Sequence, residues 1–229
     1  MDEYTYPVTG LEWFGYSLTW AQFLMFAVCT VIVFRARRRM ANPIINLLVT
    51  GALACYGLGD LFYNLYVTIN RIYPYYFSAS DLCWNGTFIF LIAVCLCLLG
   101  SLPEPERRAT NRYRLPALAI ALVVRGSVAV FVLVIYLDSI ANEIVYAITQ
   151  GLTLYLITLL LFTAAKNQVL TNWRRFCVAA LVFTAIELAT FVVTCLDAPA
   201  YNFYYVLDTL TTFTPVLFYW ALLGKQVRV

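Results

Sequence analysis

Apolar positions fill this chain in seven long blocks, and its polar positions gather in the short stretches between them. A helix that crosses a membrane needs about 20 mainly apolar residues. The blocks therefore predict spans over Trp13–Phe34, Ile44–Ile69, Asp81–Leu99, Leu115–Leu137, Ile144–Ala165, Phe176–Leu196 and Phe203–Leu223. No span is made only of small and polar residues, so a wide pore is not expected. The expected fold class is all-α, a polytopic membrane protein with seven transmembrane helices.

The polar stretches alternate in charge. "RARRRM" follows the first span, "PEPERRATNRYR" the third and "KNQVLTNWRR" the fifth, and "GKQVRV" ends the sequence. The other set is "MDEYTYPVTG", "NRIYPYYFSAS", "DSIANE" and "DAPAYN", in which Arg71 is the single basic residue. Basic residues beside span ends stay cytoplasmic. The expected orientation is N-terminus outside and C-terminus inside. Tyr73, Tyr75, Tyr76, Tyr201, Tyr204 and Tyr205 then sit at the outer boundary, as an aromatic belt does.

Composition agrees. Of 229 residues, 63% are hydrophobic and only 12% charged, and mean hydropathy is +0.80. A soluble domain carries about a quarter charged residues. At this length no separate soluble domain is expected beside the spans, and the acidic, polar start does not read as a cleaved signal peptide. The net charge of +3 reflects loop topology, so no nucleic-acid partner is expected. Histidine is absent, which removes the commonest metal ligand and general base. Six of the seven cysteines lie in or beside apolar runs, with no disulfide framework and no zinc spacing. No metal and no cofactor are expected.

Asp60 lies in "ACYGLGDLFYNLY", inside the second span, where a charge costs about 2.5–3.5 kcal/mol near the bilayer centre. It should face the bundle interior. Asn64 shares its helical face, Tyr56 and Tyr63 lie near that face, and Gly57 and Gly59 permit close helix approach. Two roles compete for Asp60: a ligand contact, or a protonated structural carboxyl bonded to a neighbouring helix. Glu187 is the deepest acid, in "FTAIELATF". Asp208 lies inside the seventh span among Thr209, Thr211 and Thr212. Asp81, at the start of the third span, reads as a helix cap. Arg125, in "ALVVRGSVAV", needs an acidic partner or an anionic ligand group; Glu187 or Asp60 is the simplest partner, in a structural pair or a ligand site. Gln22 and Gln150 read as helix–helix hydrogen-bond formers. Pro215 should kink the seventh span.

The two halves of the chain can be overlaid. Asp60 and Glu187 are 127 positions apart, and so are Asp81 and Asp208, Thr87 and Thr214, and Leu61 and Leu188. Gln22 and Gln150 are 128 apart. This spacing predicts a single domain over 1–229: repeat one over 11–100, a linker helix over 113–138 and repeat two over 143–224. An odd linker makes the two repeats parallel. The pattern resembles the 3+1+3 architecture of SWEET-type sugar transporters and the wider transporter–opsin–receptor group. That resemblance implies a substrate site at the repeat interface. "GLGDLFY" followed by "SASDLCW" resembles paired elements in the multi-span sensor domains that precede bacterial diguanylate cyclases. It implies a sensor role, although no cytoplasmic output domain is expected here.

Together these residues predict a pocket open to the outside, with ligand contacts from Asp60, Asn64, Tyr63, Arg125, Glu187 and Asp208. Acids outnumber bases and tyrosines rim it, which suits a small cationic or polar solute. The expected partners are the lipid bilayer, a small-molecule ligand, and a cytoplasmic protein or further copies of the chain. A bacterial cytoplasmic membrane is the expected location. A transporter or solute-binding protein is the first reading, and a receptor subunit signalling to a separate cytoplasmic partner the second. The third is an intramembrane hydrolase of the lysoplasmalogenase kind, in a chain with no assigned catalytic residue. A retinal pigment is excluded, because Lys166 and Lys225 lie at cytoplasmic edges.

Overall fold

Each apolar block folds as one helix, and six of the long helices close into a ring. The computed structural model describes residues 10–36, 42–74, 77–135, 140–164, 168–171, 173–194 and 201–223. The basic stretch 37–40, Tyr75, Tyr76, Lys166, Lys225 and parts of several predicted span ends lie outside them. The long helices are α1 (Gly10–Ala36), α2 (Pro43–Asn70), α3 (Ala79–Gly100), α5 (Asn111–Ile135), α6 (Ile140–Ala164), α8 (Arg174–Thr194) and α9 (Tyr201–Leu223). Two short helices, α4 (Glu104–Ala109) and α7 (Gln168–Thr171), stand where loops are expected. α4 forms because Glu104 and Glu106 open it and Arg107 and Arg108 close it, each matching the macrodipole. Arg107 and Arg108 both pair with Glu104.

Among the described residues, six helices are long and apolar enough to cross a membrane: α1, α2, α3, α5, α6 and α8. The chain is thus an all-α, multi-pass membrane protein. α9 has the length of a span and carries Asp208, four threonines and Pro215. The outward faces are apolar; α5 turns out Leu115, Leu122, Val123, Val130 and Val134.

The ring runs α1–α2–α3–α6–α8–α9 and back to α1. α5 lies outside it, packed on α6 and α8. The end at which α1, α3, α6 and α9 begin is called the upper end below. Halfway down, aromatic rings fill the centre. Phe26 stacks on Tyr56 at 4.3 Å, and Phe183 touches Tyr56, Phe88 and Phe218 at 5.5, 5.7 and 5.9 Å. A void of about 10 Å³ remains among Phe26, Ala52, Thr87, Phe183 and Phe218, about the size of one water.

Local chemistry sets the helix ends. Asn42 caps α2 through Ile45 N, with Pro43 at the first helical position. Ser78 and Asp81 form a capping box on α3: Asp81 Oδ2 accepts from Ser78 N at 2.8 Å and from Ser78 Oγ at 2.9 Å. Asp81→Ala should cost about 1 kcal/mol in reversible unfolding from mixed micelles. A loss above about 3 kcal/mol would mean that Asp81 does more than cap.

α9 continues as one helix through Pro215. Proline has no N–H for the carbonyl four residues back. That carbonyl belongs to Thr211, and the Thr214 hydroxyl donates to it at 2.7 Å.

Candidate functional site

Three carboxyl groups line the ring above the aromatic layer, each on its own helix. α2 supplies Asp60, α8 supplies Glu187 and α9 supplies Asp208, and Asp60 lies within electrostatic range of the other two. Asp60 and Asp208 are buried, and Glu187 is half-buried.

Each acid accepts from a neighbouring helix. Trp84 Nε1 on α3 donates to Asp60 Oδ1 at 3.0 Å. The indole can lie on α2 because residue 59 is glycine: a Cβ there would stand 2.5 Å from Trp84 Cδ1 and Nε1. Tyr56 Oη on α2 donates to Glu187 Oε1 at 2.9 Å, across the centre of the ring. Thr211 Oγ1 on α9 reaches the same oxygen at 3.4 Å. Gln22 Nε2 on α1 donates to Asp208 Oδ1 at 3.2 Å. Two buried oxygens, Asp60 Oδ2 and Asp208 Oδ2, have no hydrogen-bond partner. A buried polar atom left unpaired costs about 1–3 kcal/mol, so both are poised to accept.

Two of these bonds match across the halves. Asp60 takes its donor from Trp84 and Glu187 takes one from Thr211. The donors are 127 positions apart, like the acids. In both, the acid is on the middle helix of a triplet and the donor on the helix that follows.

The upper end is drawn together over the acids. Tyr16 on α1 bonds Thr68 on α2, and Thr19 Oγ1 donates to Asn64 Oδ1 at 2.6 Å. Tyr205 on α9 packs against Gly15, where a Cβ would meet its ring at 2.4 Å. Asn64, fully buried, is thereby tied to α1, and its Nδ2 has no partner. Tyr63 packs beside Trp84, ring centres 6.1 Å apart.

Arg125 corrects an expectation. Its partner is neither Glu187 nor Asp60 but Glu143 at the start of α6, at 2.8 Å, with both side chains buried. The reason is lateral: α5 sits outside the ring and meets α6 and α8, not α2. The guanidinium also lies 5.6 Å from the ring of Phe191 on α8. In the sequence Glu143 stands in the outer stretch "DSIANE", just before the predicted fifth span, and nothing there singles it out.

The remaining expected residues divide. Gln22 joins α1 to Asp208, as above. Gln150 is buried with its Oε1 unpartnered. Asp81 caps α3 and accepts from Asn142 of α6 at 3.4 Å. Sequence reasoning missed the roles of Trp84 and Tyr56. The shared offset of Trp84 and Thr211 was available, but an indole and a hydroxyl do not resemble each other as letters.

Comparison with protein-family models, with curated proteins and with solved structures gave no match.

Proposed function

We propose that the chain is a seven-span transporter or solute-binding protein of a bacterial cytoplasmic membrane, with its N-terminus outside. It binds a small cationic or polar solute between two parallel three-helix repeats, in the outer half of the bilayer. The observation that carries this reading is the pair of unpartnered carboxyl oxygens, Asp60 Oδ2 and Asp208 Oδ2, beside the half-buried Glu187. Acidic groups inside a membrane mark substrate and ion pathways, because their cost is otherwise unreturned. The repeat reading is supported by the ring order and by the matched Asp60–Trp84 and Glu187–Thr211 bonds.

The test is thermal unfolding of the detergent-purified chain against amines, sugars and lysolipids. A ligand that binds only the folded state stabilises it by about 2.7 kcal/mol at a hundred times its Kd. One class should raise Tm, and Asp60→Asn should abolish the rise while leaving the unliganded protein folded. If nothing raises Tm and Asp60→Asn only destabilises, Asp60 is structural and the reading fails.

A ligand-sensing receptor subunit is the second reading, favoured by the aromatic layer of Phe26, Tyr56, Phe88, Phe183 and Phe218 below the acids. Uptake of the stabilising solute into proteoliposomes separates the two: a transporter accumulates it and a receptor does not.

A further inference from the structure

We infer that the Asp60–Glu187–Asp208 cluster is an exchange site, whose carboxyls hold protons when empty and release them, charge for charge, when an organic cation binds. The inference rests on the solute-binding reading and adds to it the class of solute and the ion it trades against.

The argument is a charge account. Among the described residues Arg125 is the only buried basic side chain, and Glu143 neutralises it. Among the described residues no buried positive side chain is left for the central acids. The groups that face them are Tyr56 on α2, Trp84 on α3, Gln22 on α1 and Thr211 on α9, and Tyr146 on α6 lies within electrostatic range of Asp81 and Glu187. Tyr56, Trp84, Gln22, Thr211 and Tyr146 are neutral. Their donors reach one oxygen of each acid and leave Asp60 Oδ2 and Asp208 Oδ2 bare. Carboxylates that interact with one another in a bilayer interior cannot all stay charged without a counter-charge. A proton on the bare oxygen supplies it, and so does a bound cation. The two compete for the same place.

The chemistry of the lining suits an organic cation. Among the described residues no three His, Cys, Asp or Glu side chains come close enough to hold a metal ion. The acids stand on three helices, with the Trp84 indole on Asp60 and the rings of Tyr56 and Tyr63 packed against that indole. An ammonium group suits this arrangement: it is attracted by dispersed carboxylates and by aromatic faces. On binding, a carboxyl O–H breaks, the electron pair stays on the oxygen that faces the ammonium, and the proton leaves to water. The sum of charge in the site does not change.

The experiment titrates tetramethylammonium chloride, then putrescine dihydrochloride, into the weakly buffered, detergent-purified full chain, and reads bound cation and released protons together. By neutrality, about one proton should leave per tetramethylammonium and about two per putrescine. The apparent Kd for tetramethylammonium should rise about tenfold for each unit the pH is lowered, across the range in which the site is protonated. In Asp60→Asn and Asp208→Asn the cation bound at a fixed concentration, and with it the total proton release, should fall at least by half. Binding without proton release overturns the exchange and leaves the solute site standing. If neither cation binds but a sugar stabilises the protein, the cation class and the exchange are wrong and the solute site survives. If nothing binds, both readings fall. The wild-type stoichiometry decides the matter even where a variant does not fold.

Discussion

Arg125→Met is expected to destabilise the protein by about 3–5 kcal/mol, because it leaves Glu143 as an uncompensated buried charge. The pair is 2.8 Å apart with both side chains almost wholly buried. Replacing both partners by apolar residues of similar volume should instead return stability to within about 1 kcal/mol of wild type, since neither charge is then left alone. The measurement is reversible unfolding in mixed micelles, for Arg125→Met, Glu143→Leu and the double variant. A double variant as unstable as the sum of the singles would show that the pair is not one closed unit. Combining Arg125→Met with Glu187→Gln makes the control. If Arg125 answered to Glu187, this pair of changes would recover stability; the packing of α5 against α6 predicts no recovery. The double Arg125→Met, Glu143→Leu variant should also keep its response to tetramethylammonium, because the pair stands outside the central cluster.

That control marks the boundary between what sequence shows and what it hides. The spans were legible because an apolar run of span length has few soluble alternatives, and among the described residues six helices are long and apolar enough to cross a membrane. The central acids were legible for the same reason: in such a run a carboxylate is conspicuous. Their common offset of 127 positions is arithmetic that the sequence alone supplies. Partners were not legible. Which helix borders which depends on the lateral order of the ring, and chain order does not fix it. The fourth block lies outside the ring, so Arg125 finds α6 and misses the acids of α2 and α8. Glu143 reads as one more acid of the outer stretch "DSIANE" until α5 is laid against it. Trp84 reads as one more aromatic side chain until the missing Cβ of Gly59 shows why its indole nitrogen reaches Asp60.

Gly59 is therefore where packing and chemistry meet, and a glycine series should expose the connection. Gly59→Ala puts a methyl group 2.5 Å from Trp84 Cδ1 and Nε1, closer than any relaxed contact. The indole has little room to yield, because Tyr56 and Tyr63 flank it with ring centres 6.4 and 6.1 Å away. Overpacking of this kind costs about 1–3 kcal/mol, and the displaced indole also gives up its bond to Asp60, about 1 kcal/mol more. Gly57→Ala, in the same "GLG", meets Phe26 Cβ at 3.2 Å, a tighter fit than usual but not a collision. It should cost less than Gly59→Ala. Gly126→Ala meets nothing within 4 Å and should be stabilising or neutral, since alanine is favoured over glycine inside a helix by about 1 kcal/mol. Unfolding free energies should thus rank Gly59→Ala well below Gly57→Ala, with Gly126→Ala at or above wild type. Indole fluorescence in Gly59→Ala should shift as Trp84 leaves the carboxyl, and Trp84→Phe should abolish that shift. An alanine at 59 as harmless as one at 126 would mean that Trp84 does not lie on α2, and the donor to Asp60 would have to be sought elsewhere.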